Sequence, residues 1–116
     1  MIAQARDKLL AKLKKAGVSA IAQDRLDLDQ NGVYLVFNGA LIERNRPIEY
    51  RFSLWIVSNN FEQKGGAYET IDAVLAAFIA EEREFGRAEW SVGEAALERI
   101  EGSLSEYRIA ITVLGG

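Results

Sequence analysis

The sequence predicts an α+β fold in which two helices pack on one face of a mostly antiparallel sheet. Two segments, 2–16 and 67–82, repeat their apolar residues with the period of an amphipathic helix. Three others, 33–37, 48–57 and 107–113, are the short apolar or alternating runs typical of strands. The strands follow one another instead of alternating with helices, which favours hairpin connections and an antiparallel sheet.

The first helix is predicted from one apolar stripe and a clear C-terminal stop. The stripe steps by three or four residues and consists of Ile2, Ala5, Leu9, Leu13 and Ala16. Basic residues crowd the last turns, where the helix dipole favours cations. Gly17 follows as the predicted stop.

Two strands are expected next, joined by a hairpin. Residues 18–28 fit a short, partly exposed strand, and Asn31-Gly32 in the turn 29–32 is the strongest hairpin signal in the chain. The apolar run 33–37 is the second strand. Asn38-Gly39 predicts a bulge or bend before the strand resumes.

The strand 48–57 has the clearest alternation and follows a polar connection, 43–47. One face carries Ile48 through Ile56 at every second position. The other face changes from charged to apolar along its length, so we expect its last third to be covered.

The second helix is expected from Ala67 to about Glu82, after a loop over 58–66. Its large residues cover a broad arc, and four alanines lie opposite: Ala73, Ala76, Ala77 and Ala80. Small residues allow close approach of a second partner. Alanine is also the best helix former on a solvated face, so both interpretations stay open.

The segment after the second helix is harder to interpret. Residues 81–87 are charged and are expected to leave the helix, and 88–92 fit a short strand around Trp90. Residues 94–101 fit either a helical turn or a strand. The alternation over 107–113 predicts the closing strand.

Composition excludes much chemistry. The chain of 116 residues, one predicted domain over 1–116, contains no histidine and no cysteine. Zinc fingers, thiol nucleophiles and imidazole acid–base steps are therefore excluded. No phosphate-loop or calcium-loop spacing is present. We expect no enzyme activity, cofactor or metal. With neither a secretory leader nor an apolar run of membrane-spanning length, we expect synthesis in the cytoplasm and no membrane partner.

Charge is divided along the chain. Residues 1–51 hold nine basic and six acidic side chains, a net of +3, whereas 52–116 hold five and eleven, a net of −6. Oppositely charged surfaces would suit head-to-tail association between copies. Local clustering on solvated faces is the simpler interpretation.

Two further features are candidates for partner contacts. Lys8, Lys12 and Lys15 form a basic helix face without interleaved aromatic residues, which favours a solvated face or an acidic partner over sequence-specific nucleic acid. We expect Trp55 and Trp90 to be core residues, and contact with a partner is the second interpretation.

In its layout the chain resembles the small tail-terminator, or minor tail, proteins of tailed bacteriophages, in particular the version in Mu-like phages and prophages, related in fold to the lambda tail terminator. The most motif-like stretch is 65–78, where the Gly66-Ala67-Tyr68, Ile71-Asp72 and Val74-Leu75 positions look like the family's helix. Segment 85–104 matches least.

This resemblance implies a structural protein. Relatives form hexameric rings that cap the head-proximal end of the tail tube, stop its polymerisation and join it to the neck. The expected partners are further copies of the chain, the tube protein and a neck or head-completion protein, and the expected location is the virion tail. The residues expected at contacts are Lys8, Lys12, Lys15, Trp55, Asn59, Asn60, Phe61, Lys64, Ala73, Ala76, Ala77 and Ala80.

Two other classes remain as alternatives. A small monomeric α+β module that binds a protein or ligand without catalysis would show a concave apolar pocket with a few convergent polar groups. An enzyme using carboxylate or lysine chemistry would need two enclosed carboxylates in a cleft.

Overall fold

A computed structural model describes residues 2–23, 32–59, 66–85, 90–101 and 104–115. It has two helices and one five-stranded sheet, an α+β fold as predicted. In chain order the elements are α1 (Ile2–Lys15), β1 (Ile21–Gln23), β2 (Gly32–Leu41), β3 (Ile48–Ser58), α2 (Ala67–Phe85), β4 (Trp90–Glu101) and β5 (Leu104–Gly115). The strand order across the sheet is β1-β2-β3-β5-β4, so the chain's last strand lies between the third and the fourth.

The end of α1 confirms the predicted stop at Gly17. This glycine has a φ of 84°, in the left-handed region that side chains disfavour. Its N–H donates to the Lys14 carbonyl at 3.0 Å, and the Val18 N–H donates to the Leu13 carbonyl at 2.9 Å. This pair of bonds is a Schellman motif. Val18 and Leu13 are both buried in the core, so the motif also fixes where the chain leaves the helix.

The predicted hairpin before β2 is wrong. β1 is parallel to β2, with Ile21 opposite Tyr34, and a two-residue turn joins only antiparallel strands. β1 is also only three residues long, against the expected 18–28. Residues 24–31, which carry most of the predicted turn, lie outside the described residues.

The other described strand pairs are antiparallel, which confirms a mostly antiparallel sheet. The register between β2 and β3 shifts between Phe37 and Gly39, so the predicted bulge at Asn38-Gly39 is present. The last third of the second face of β3 is largely covered, as expected, since Val57 is buried and Trp55 is half-buried.

The C-terminal half corrects two expectations. α2 continues to Phe85 instead of ending near Glu82. Residues 90–101 form one strand, which replaces the short strand at 88–92 and the ambiguous segment at 94–101. The ambiguity arose because register shifts at Val92/Ala95 and Leu97/Arg99 interrupt the alternation.

One face of the sheet contributes to the main core. Leu35, Leu54 and Ile109 lie side by side across β2, β3 and β5 and are almost fully buried. Directly paired residues share a face, so this row marks the buried side. The same buried cluster contains Leu9 and Leu13 of α1 and Ala67, Val74 and Phe78 of α2. This is in keeping with the expected packing of both helices on one face, which stays a prediction.

Candidate interaction surfaces

An open groove of about 480 Å³ lies between the two helices. Residues from both helices line it: Lys12, Lys15 and Ala16 from α1, and Ala73, Ala76 and Ala77 from α2. Alanine side chains are too short to fill the space between the two helices, so an open groove remains between them. The structure therefore brings together two surfaces that the sequence predicted separately, the basic face of the first helix and the alanine face of the second. We call this space the interhelix groove.

Lys12 is held at the interhelix groove by a neighbouring ring. Its Nζ lies 5.2 Å from the centroid of the Phe78 ring, within the range of a cation–π contact. Phe78 is buried, so the lysine stem covers apolar surface while its charge stays near the groove. The groove thus has an apolar floor and a positively charged rim.

The remaining contact candidates are spread over the molecule. Lys8 is exposed on α1 and does not line the interhelix groove. Asn59 is exposed directly after β3. Ala80 belongs to α2. Asn60, Phe61 and Lys64 lie outside the described residues, and so does most of the loop expected to make contacts.

Trp55 belongs to a second, smaller apolar cluster. It is half-buried and contacts a group formed by Tyr34, Val57 and Leu104. Trp55 pairs with Tyr34 and Arg108 across the sheet, so this cluster lies on the face opposite the Leu35–Leu54–Ile109 row. Trp55 therefore packs within an apolar cluster, as expected, and is only partly buried.

Strand β4 carries an exposed apolar surface that sequence reasoning missed. Leu97 and Ile100 are 48% and 64% exposed. Leu97 pairs with Tyr107 and Ile100 with Ser105, so both lie on the same face although three residues separate them. The register shift beside Glu98 supplies the extra residue that makes this possible. A regular strand would place residues three apart on opposite faces, and nothing local in the sequence signals the bulge.

Two ion pairs on the opposite face hold this bulge. Arg99 donates to both carboxylate oxygens of Glu106, at 2.9 and 2.6 Å, and Arg108 donates to Glu98 at 3.0 Å. Glu98 and Arg99 are adjacent in the chain yet bind partners on the same side of β5. The Glu106 side chain is only 5% exposed, whereas that of Arg99 is 55% exposed. Both pairs therefore link the bulged segment of β4 to β5.

A tyrosine pair lies beside Leu97. The Tyr68 and Tyr107 rings meet edge to face, with centroids 6.3 Å apart. Burial raises the pKa of the Tyr107 phenol above its ordinary value of 10.0, and a hydrogen bond and a charge interaction with Tyr68 raise it further. Tyr68 is itself 46% exposed. Together Leu97, Ile100, Tyr68 and Tyr107 form what we call the β4 patch.

The described part of the chain contains little that suggests chemistry. Its residues include no group of three or more Asp, Glu, His or Cys side chains that could hold a metal ion. Among the helices whose residues are described, none has the length and apolar character needed to cross a membrane. The surfaces described above are the candidates for function that the described residues offer.

Comparison with known proteins does not assign a family. The chain matches no protein-family model and no curated protein. The resemblance to phage tail terminators consequently rests on the sequence segments quoted above, and the function it implies is argued below as a proposal.

Proposed function

We propose that this chain is a structural subunit of a bacteriophage or prophage tail. It assembles with further copies into a ring, expected to be a hexamer, that caps the head-proximal end of the tail tube. The ring ends tube polymerisation through one face and joins the tail to the neck through the other. The observation that carries the proposal is a pair of unlike contact surfaces, the interhelix groove and the β4 patch, on one small subunit.

The two surfaces lie on opposite flanks of α2. Tyr68 contacts the β5 side, next to β4, whereas Ala73 and Ala77 line the interhelix groove. At about 100° per residue, Ala73 lies roughly 140° and Ala77 roughly 180° around the helix from Tyr68. Unlike surfaces on opposite sides of a subunit produce head-to-tail contacts, which close into rings when the rotation permits.

The proposed partners follow from this role. They are further copies of the chain, the tail-tube protein and a neck or head-completion protein. The subunit is made in the bacterial cytoplasm and ends in the virion tail. It takes no cofactor, acts on no substrate, and contacts neither a membrane nor a specific nucleic-acid sequence.

The size of the interhelix groove favours a second candidate function, a monomeric module that binds a protein or a ligand. A volume of about 480 Å³ lies within the range of small-ligand sites. Such sites combine an apolar lining with several convergent polar groups. Here the charged groups in the lining are Lys12 and Lys15, so an acidic ligand would be required.

Oligomeric state and genomic context separate the two candidates. Native mass spectrometry of the 12.9 kDa chain, alone from micromolar to millimolar concentration and mixed with a tail-tube protein, is expected to show a discrete species of six copies. Neighbouring genes for tail tube, sheath and tape measure would support the ring. A strict monomer under both conditions, with neighbours unrelated to tails, would contradict the ring and leave the binding module.

A further inference from the structure

The interhelix groove has opposite charges on its two sides. On the α1 side, Lys15 lines the groove and is exposed. On the α2 side, Glu69 and Asp72 are exposed. Within the described part of the chain, none of these three side chains makes an ion pair or a hydrogen bond. All three charges are therefore available to a partner.

The helical period places both acids beside the alanines of the groove. Glu69 precedes Ala73 by four residues, and Asp72 precedes Ala76 by four. Residues four apart differ by only about 40° around a helix, so each acid lies one turn from a groove alanine on the same stripe. The acidic stripe of α2 and the basic side of α1 thus border one groove.

A surface with opposite charges on its two sides complements a copy of itself. When two copies meet about a two-fold axis that runs along the groove, the α1 side of each copy lies over the α2 side of the other. Lys15 of one copy then faces Glu69 and Asp72 of the other, and symmetry repeats this contact. An axis across the groove places Lys15 against Lys15, so charge selects the first arrangement. We propose that the free chain forms this two-fold dimer, an inference that goes beyond the proposed function because it concerns the subunit before assembly.

Apolar packing adds to the charge pairing. Ala76 is exposed on the groove. Three further alanines of the lining are half-buried: Ala16, Ala73 and Ala77. Small side chains let helices approach closely, so the alanines of the two copies can face each other. Dimerisation covers the groove and removes these methyl groups from water.

The size of the surface indicates a weak dimer. α1 and α2 have 14 and 19 residues. These lengths are about 21 and 28 Å, and with widths of about 10 Å the two helices present roughly 400–500 Å² per copy. A stable, specific interface buries about 800 Å² per partner, so this contact is transient and is populated at high concentration.

A dimer of this kind covers the groove that the proposed ring uses. Copies paired in this way cannot use the groove for head-to-tail contacts. The dimer therefore opposes growth of rings or filaments away from the tube, and a weak contact opens readily when a subunit binds there.

Charge reversal tests the contact on the full chain. Lys15→Glu and Asp72→Lys are each expected to weaken dimerisation, measured by analytical ultracentrifugation, by roughly five- to thirtyfold, because symmetry makes the change twice in each dimer. A 1:1 mixture of the two variants should recover most of the wild-type affinity, since positions 15 and 72 again carry opposite charges at both contacts.

Two variants with the same changes of charge serve as controls. Lys14→Glu and Glu94→Lys alter exposed residues that do not line the groove. Each should change dimerisation less than about twofold, as for isolated surface charges. Losses as large as those of the groove variants would show a general charge effect and contradict the inference. Circular dichroism confirms that every variant is folded.

Native mass spectrometry, with one variant labelled with ¹⁵N, identifies the species in the mixture. At concentrations below ring formation, heterodimers of twice 12.9 kDa without trimers support the two-fold contact. Trimers and longer alternating chains show a head-to-tail contact instead and overturn the inference. A mixture that associates no better than either variant alone also overturns it.

Dilution of the wild-type chain, followed by NMR, needs no variant. The backbone amide signals of Lys15, Asp72 and Ala76 should shift with concentration, whereas that of Ala40 on β2 should not. Shifts at other surfaces with none at the groove would place the contact elsewhere and refute the inference.

Failure of this inference is distinguishable from failure of the proposed function. Rings of six copies on the tube, with no dimer in solution at any concentration, contradict the dimer and leave the capping role. Dimers that never convert into rings when the tube protein is added support the contact and contradict that role.

Discussion

Removing the Arg99 guanidinium should destabilise the fold because it leaves a buried carboxylate without its partner. Arg99 makes two hydrogen bonds to Glu106, whose side chain is 5% exposed. Breaking a fully buried pair from one side costs about 3–5 kcal/mol. Arg99 is itself 55% exposed, so water reaches the site and screens the charge. We therefore expect Arg99→Met, which keeps an unbranched stem, to cost about 1–2 kcal/mol.

A second ion pair on the same two strands provides the matched control. Arg108 and Glu98 make one hydrogen bond at 3.0 Å, and their side chains are 41% and 37% exposed. Exposed pairs are worth about 0.2–1 kcal/mol. We expect the coupling energy between Arg99 and Glu106 to be about 1–2 kcal/mol and to exceed that between Arg108 and Glu98.

Two double-mutant cycles measure these couplings. One uses Arg99→Met and Glu106→Gln, and the other uses Arg108→Met and Glu98→Gln, each with its double mutant. Urea unfolding gives the free energies, and for a chain of 116 residues each kcal/mol corresponds to about 4 °C in Tm. Added salt should reduce the exposed coupling more than the buried one. Equal coupling in the two cycles would refute the argument that burial of Glu106 makes its pair the stronger one.

Three further predictions concern the core, the helix end and the tyrosine pair. Leu54→Ala, in a fully buried position, should lower the free energy of unfolding by about 3–5 kcal/mol, whereas Leu97→Ala should change it by less than about 0.5 kcal/mol. If urea unfolding gives similar values for both, the burial assigned to Leu54 is wrong. Gly17→Ala should cost about 1 kcal/mol, and Gly17→Asn less, because space is open around this residue and only its positive φ resists a side chain. Equal Tm values for wild type and both variants would contradict the left-handed cap. Since the pKa of Tyr107 is raised in the folded state, the unfolded chain loses this proton first, and stability should fall as pH rises above about 10. Tyr107→Phe should lose less Tm than wild type over that range, and parallel Tm curves would contradict the prediction.

Local sequence patterns predicted correctly those elements whose structure is determined by neighbouring residues. The apolar stripe and Gly17 define the first helix, and the alternation from Ile48 onward defines β3. Asn38-Gly39 marks the bulge in β2. Each of these features depends on residues within a few positions of one another, so each can be predicted from the local sequence.

Other features depend on contacts distant in sequence. Asn31-Gly32 favours a hairpin, yet β1 pairs parallel to β2. The sequence of residues 94–101 fits a helix and a strand equally well, because the two register shifts in β4 break the alternation. The pairing with β5, and the ion pairs of Arg99 and Glu98, make this segment a strand. Periodicity within one segment contains no information about such partners.

The candidate surfaces likewise combine features that the sequence predicted with features that only the tertiary structure defined. The sequence alone showed a basic face with Lys12 and Lys15, an alanine face with Ala73 and Ala77, and a chain without histidine or cysteine. Only the tertiary structure brought those two faces together in the lining of one groove and exposed Leu97 at the opposite flank of α2. Residue type and helical period are local properties, whereas the angle between two helices and the register of an edge strand are set by packing across the whole core.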